Sequence, residues 1–252
     1  MSGHDSARER VAVVTGGARG IGLEIARRLL DDGHRVAVLD VLDDVEAVAA
    51  RLDAERCRGI VADVSDPAAV ARAFDDVDSL WGRVDILVNN AALTAVHRPW
   101  RAVEPADWDR VMAVNLRSAF LCSRAAVASM EARAWGRIVN ISSVTFHSGQ
   151  RHLVDYVASK GGLVGFTRAL AREVGASFVT VNALAPGSIR TEADVVNFPD
   201  QDAIDAQQAA VQAIPRRGVP ADVAAAASFL CGDDASFITG QLLTVDGGWF
   251  MR

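Results

Sequence analysis

Tyr156 and Lys160 lie four residues apart in a stretch of helical periodicity, which sets both side chains on one face, one turn from each other. A free phenol titrates near pH ~10, too high for an effective base at neutral pH. The ammonium of Lys160, together with the positive nicotinamide of an oxidised cofactor, favours the phenolate and lowers that pKa. Tyr156 can then accept a proton from an alcohol as hydride leaves its carbon, and donate one in the reverse direction. Tyr156 is the only tyrosine in the chain. The spacing alone also fits an amphipathic tyrosine beside a surface lysine, so it needs a context.

A second group of residues supplies one. Thr15-Gly16-Gly17-Ala18-Arg19-Gly20-Ile21-Gly22 follows a β-rich run and opens an apolar-periodic helix. Glycines there let the backbone turn sharply and approach a pyrophosphate, whose charge is favoured by the helix N-terminus. The spacing is G-x-x-x-G-x-G and differs from the more familiar G-x-G-x-x-G. Asp40 ends the next β-rich run, roughly 20 residues beyond the loop, where a carboxylate can bond a ribose 2′-hydroxyl and repel a 2′-phosphate. No Arg or Lys follows directly, since Val41 and Leu42 come next. Arg19 is the one opposing feature, a cation within reach of such a phosphate. Desolvating Asp40 beside a dianion outweighs one flexible cation, so NAD is expected rather than NADP.

The elements that must position these groups alternate. Runs 11–15, 35–40, 59–63, 84–89, 137–142, 178–182 and 242–246 read as strands. They are nearly continuous in apolar residues, as strands covered on both faces are. Segments 21–32, 67–80, 107–132, 154–174 and 221–231 read as helices, with Asp66-Pro67 and Pro220-Ala221-Asp222 as starts. This alternation predicts an α/β fold, a single doubly wound, Rossmann-type parallel sheet of about seven strands with helices on both faces. Its ligands lie beyond the carboxyl ends of the strands. No linker or repeat divides residues 1–252, which read as one dinucleotide-binding and catalytic domain.

Together these motifs resemble the short-chain dehydrogenase/reductase family from Val11 to Gly248. The ordered matches are Thr15 to Gly22, Asp63-Val64, Asn89-Asn90-Ala91, Asn115, Ser142-Ser143, Tyr156-x-x-x-Lys160, Pro186-Gly187 with Thr191, and Val245-Asp246-Gly247-Gly248. The resemblance implies that Ser143, thirteen residues before Tyr156, holds and polarises the substrate oxygen, a task that Ser142 fits less well. It implies that Asn115 kinks its helix and supports a proton-relay water near Lys160. It also assigns Asp63 and Val64 to the adenine, Asn90 to a cofactor ribose, and Pro186, Gly187, Ile189 and Thr191 to the nicotinamide carboxamide. Gly16, Arg19, Gly20, Ile21, Gly22 and Asp40 complete the cofactor set. One departure is Ala92, where glycine is usual.

The substrate walls implied are His97, Arg98 and Trp100, then Val144, Phe146, His147, Gln150, Arg151 and His152, then Val195, Val196, Asn197 and Phe198. They mix polar, basic and aromatic character and do not choose among a sugar, a hydroxy acid and an aryl alcohol. Segment 188–217 reads as a lid over the substrate. The apolar tail Trp249-Phe250-Met251 points to packing between subunits, hence a homotetramer, with a dimer or a tail folded on its own subunit as alternatives.

A net charge of −6 argues against nucleic acid as a partner. Cys57, Cys122 and Cys231 have neither C-x-x-C spacing nor clustered histidines, so no metal site or disulfide framework is expected. The polar segment 1–10 lacks a signal-peptide core and no apolar run reaches spanning length, so a cytoplasmic protein without a membrane partner is expected. Rival functions are an NADPH-dependent 3-oxoacyl thioester reductase, a non-catalytic dinucleotide sensor and a methyltransferase. The sensor would not need Ser143, Tyr156 and Lys160 together, and the Tyr–Lys pair disfavours the methyltransferase.

Overall fold

Strands covered on both faces need two apolar layers, and the side chains of successive strand residues supply them by alternation. In the computed structural model, which describes residues 9–93, 97–192, 195 and 200–251, Ala12 and Val14 of β1 (Val11–Thr15) face one core while Val11 and Val13 face the other. β2 (Arg35–Asp40) divides likewise, Val36 and Val38 against Ala37 and Leu39. The remaining strands are β3 (Cys57–Val61), β4 (Ile86–Asn89), β5 (Gly136–Ile141), β6 (Val179–Pro186) and β7 (Leu242–Val245). All pair in parallel, in the order β3-β2-β1-β4-β5-β6-β7.

One face carries α1 (Gly20–Asp31), α2 (Val45–Leu52) and a late helix, α9 (Pro220–Cys231), through Ile25, Leu29, Val48, Val223 and Ala227. The other carries α3 (Pro67–Trp81), α5 (Ser118–Glu131) and α7 (Val154–Val174), through Val70, Phe74, Cys122, Met130 and Val174. Each fully buried Ile or Leu contributes roughly 1.5–3 kcal/mol through this burial. α4 (Pro105–Met112), α6 (Thr145–Ser148) and α8 (Gln201–Val211) lie in the connections.

The chain leaves β1 toward β2 and β3 on one side and resumes with β4 on the other. This reversal opens a crevice at the carboxyl ends of β1 and β4, where a doubly wound sheet binds ligands. The glycine loop follows β1 into that crevice. The third strand runs 57–61 instead of 59–63. Gly59 sits under α2, an element with no expected counterpart, and a Cβ at Gly59 would lie 2.3 Å from the Val45 carbonyl oxygen. Asp63 and Val64 thus fall just beyond the strand, still at its carboxyl end.

The expected helix 107–132 is interrupted. Residues Ala113–Arg117 form a π-type turn between α4 and α5. The run Pro105–Glu131 has the length and mean hydropathy, 1.2, of a membrane span. Its apolar residues Ala119, Cys122, Ala126 and Met130 are built into the core.

Candidate active site

Two reciprocal hydrogen bonds lash α7 to the end of β5. The Lys160 ammonium donates to the Ile141 carbonyl at 2.7 Å, and the Ser142 hydroxyl donates to the Lys160 carbonyl at 2.8 Å. Ser142 is therefore turned toward the helix backbone, and Ser143 is the serine left to face Tyr156. The Ser143 oxygen accepts from the N–H and the hydroxyl of Thr145 at 3.2 and 3.0 Å, which fixes its rotamer beside the Tyr156 phenol. Thr145 was not anticipated. A hydroxyl residue two positions after a serine is a recurring local turn and could have signalled it.

Lys160 Nζ lies 5.6 Å from the centroid of the Tyr156 ring. Burial pushes the Lys160 amine down to about 8. Burial also pushes the Tyr156 phenol up, and the neighbouring Ser143 hydroxyl opposes it. In the chain by itself desolvation thus outweighs the lowering expected from Lys160.

Asn115 occupies the π-type turn and is buried. Its side chain accepts from the Leu93 N–H at 2.8 Å, donates to the Leu93 carbonyl at 3.2 Å and to the Ser159 hydroxyl at 3.1 Å. Ser159 in turn donates to the Tyr156 carbonyl at 2.7 Å. A residue unfavourable in a regular helix here ties the extension of β4 to the turn of α7 that bears the phenol.

At the nucleotide end, the first turn of α1 has no side-chain cap and no acidic residue, so its N–H groups point into the crevice. Two glycines let the loop pack tightly against itself and against the extension of β4. A Cβ on Gly16, whose φ is +61°, would lie 2.7 Å from Ala91 Cα, and one on Gly22 would lie 2.2 Å from the Gly16 carbonyl oxygen. The Asn90 amide donates to the Thr15 and Gly16 carbonyls at 3.0 and 2.8 Å, welding β4 to this loop. Thr191, reached after Pro186, Gly187 and Ile189, lies against Gly20, 3.6 Å from where its Cβ would stand. Asp40 is buried, and its carboxylate accepts from the N–H groups of Ala18 and Leu42 at 3.0 and 3.3 Å. The Arg19 side chain is exposed at the rim. Uncapped N–H groups, a tight glycine turn and a fixed carboxylate together fit a dinucleotide.

A family model described as Enoyl-(Acyl carrier protein) reductase matches residues 16–250. The 3-oxoacyl-[acyl-carrier-protein] reductase MabA of Mycobacterium tuberculosis strain ATCC 25618 / H37Rv is 41% identical over 244 residues, covering 96% of this chain and 93% of MabA. A solved structure of a candidate short-chain alcohol dehydrogenase from Sinorhizobium meliloti 1021 superposes with a TM-score of 0.90. It is 38% identical and covers 97% of this chain and 98% of its own. This chain belongs to the short-chain dehydrogenase/reductase family. It is an oxidoreductase that interconverts a secondary alcohol and a ketone with a nicotinamide dinucleotide. Another member, a candidate NAD(P)-dependent gluconate 5-dehydrogenase from Beutenbergia cavernae, holds NADP at low occupancy. It has a TM-score of 0.89, 38% identity and coverage of 97% and 98%.

Within this short-chain dehydrogenase the remaining expected site residues fall as follows. Asp63 is exposed and bonds Ser65, whereas the Val64 side chain is in the core, leaving its main chain for a ligand. Ala92 is exposed and keeps a backbone free of the left-handed region, so its methyl group causes no strain. Arg98 is turned away from the substrate walls into a pair of carboxylates, Asp107 and Asp155. Trp100 and Arg151 are exposed, and Val144 is buried. Val196, Asn197 and Phe198 lie outside the described residues.

Proposed function

We propose that this enzyme oxidises a small secondary alcohol with NAD, and reduces the ketone in reverse, with Tyr156 as acid and base. The observation that carries the reading is the convergence of Ser143, Tyr156 and Lys160 at the carboxyl end of β5, facing the crevice that Asp40 borders. The nicotinamide dinucleotide, when bound, supplies the hydride acceptor or donor. Gly16, Arg19, Gly20, Ile21 and Gly22 would hold its pyrophosphate, Asp40 and Asn90 its riboses, Asp63 and Val64 the adenine. Pro186, Gly187, Ile189 and Thr191 would hold the carboxamide. Ser143 orients the substrate oxygen. Tyr156 takes the hydroxyl proton onto its phenolate oxygen, Lys160 stabilises that phenolate, and Lys160 would also hold a ribose of the cofactor. Asn115 holds α7 and β4 together around the relay.

NAD is favoured over NADP because the Asp40 carboxylate is buried and held by two main-chain N–H groups. It cannot swing aside cheaply for a 2′-phosphate. The names of MabA and of the NADP-holding relative favour a second reading, an NADPH-dependent 3-oxoacyl thioester reductase, and exposed Arg19 suits it. A panel of sugars, polyols, 3-hydroxyacyl thioesters and aryl alcohols, offered with NAD+ and with NADP+, separates the two. Turnover of a small alcohol with NAD+ at least tenfold faster than with NADP+ is expected. Turnover restricted to thioesters with NADP+ would replace the first reading by the second. We further propose a cytoplasmic homotetramer in which segment 188–217 closes over the substrate.

A further inference from the structure

We infer that Arg98 and Asp155 are positioning residues that hold Tyr156 in place and set how readily its phenol ionises. This rests on the reading of Tyr156 as the acid and base. Three contacts make Arg98 a clasp between separate parts of the chain. Its main-chain N–H donates to the His152 carbonyl at 3.0 Å, and its guanidinium pairs with Asp107 of α4 at 2.6 Å and with Asp155 of α7 at 3.4 Å. Asp155 is buried, and its second oxygen accepts the main-chain N–H of Tyr156 at 2.8 Å. The connected line therefore runs from α4 through Arg98 and Asp155 to the backbone of the phenol-bearing residue.

The same clasp holds a strained turn. His152 has a φ of +69°, a left-handed backbone that a non-glycine residue keeps only when its surroundings dictate it. Its carbonyl is the one bonded by Arg98. The substrate-side segment 149–153 and the start of α7 are thus pinned by one side chain and its own N–H.

Charge gives the clasp its second effect. An asparagine at 155 would accept the Tyr156 N–H equally well, so the local hydrogen bond does not require a carboxylate. The carboxylate is an anion bonded at 2.8 Å to the main chain of the residue whose phenol must itself become anionic, and like charges oppose ionisation. Arg98 offsets it. Of the elements packed near this end of α7, α4 carries Asp107, Asp109 and Arg110, the π-type turn carries Arg117, α6 carries His147, the 149–153 segment carries Arg151 and His152, and α7 itself carries Lys160. Asp155 is buried with Arg98 as its ionic partner.

Because Tyr156 is the sole tyrosine, ultraviolet titration of phenolate absorbance on the full chain reads this group directly, without substrate. Arg98→Met should move the midpoint to higher pH, with about tenfold less phenolate at a fixed pH below the midpoint. Asp155→Asn should move it to lower pH. The double variant should return toward the wild type. Unmoved midpoints in both single variants, or a double variant displaced as far as Arg98→Met, would overturn the inference. Should Arg98→Met fail to fold, Asp155→Asn decides alone: a midpoint that stays or rises overturns it. Turnover surviving in Tyr156→Phe would remove the phenol from catalysis while leaving these titrations valid, so the two failures are distinguishable.

Discussion

Tyr156 and Lys160 share one helix face, yet burial drives their proton affinities apart, the phenol up and the amine down to about 8. Keeping a charged amine there costs the fold free energy. With the folded amine at about 8 and the unfolded one near ~10.4, the unfolded chain binds more protons between those values, so stability rises with pH across that window. Lys160→Met should consequently stabilise the protein at pH 7, by roughly 1–3 kcal/mol, and the gain should fade as the pH approaches 10. Denaturant midpoints at the two pH values check this. A variant less stable than the parent at pH 7 would mean that the Ile141 hydrogen bond outweighs the desolvation.

Element by element, the glycine loop is where local shape decides function. Gly22 is the sharpest case, because a Cβ there would meet the Gly16 carbonyl and the Asn90 amide at 2.2 and 2.5 Å. Gly22→Ala should weaken cofactor binding at least tenfold by calorimetry while leaving far-ultraviolet circular dichroism near the parent's, since the loop lies at the rim of the sheet. The loop, Asp40 and the Tyr–Lys pair were legible in the sequence because each has a local pattern. β1, β2 and α7 were legible to the residue, since apolar periodicity marks them sharply. Three features were not. The short α2 lies between two strands and went unmarked, while the bend at Asn115 and the preference for Ser143 over Ser142 came only from the family resemblance, because they depend on Asn115 bonding Leu93 and Ser142 reaching Lys160 across space. Such long-range partners leave no trace in spacing. Arg98 shows the same limit, as its loop position suggested a substrate wall and its partners are Asp107 and Asp155.

At the scale of the whole molecule, the apolar surface remains to be covered. Trp249 and Phe250 are half-buried, and Asp246 binds the Phe250 N–H at 2.7 Å, so the tail is only partly folded onto its own chain. Phe237 is fully exposed, and Phe178 and Met251 are largely so. Apolar surface of this kind favours association, and light scattering should return the mass of four subunits. A monomeric mass would refute it. Within each subunit the base of segment 188–217 is pinned where Ile189 bridges Gly218, and Arg190 and Arg217 both pair with Asp205. Hydrogen exchange between these pins should slow when cofactor and substrate bind together; equal exchange with and without them would count against a lid.

Tyr156→Phe tests the account most directly, with NAD+ binding confirmed and hydride transfer measured on the alcohol that the panel identifies. Removing only the phenolic oxygen should lower kcat about 10²- to 10⁴-fold with little change in cofactor affinity. A kcat within a few-fold of the parent would contradict the assignment of Tyr156 as the acid and base, and with it the mechanism built on Ser143 and Lys160.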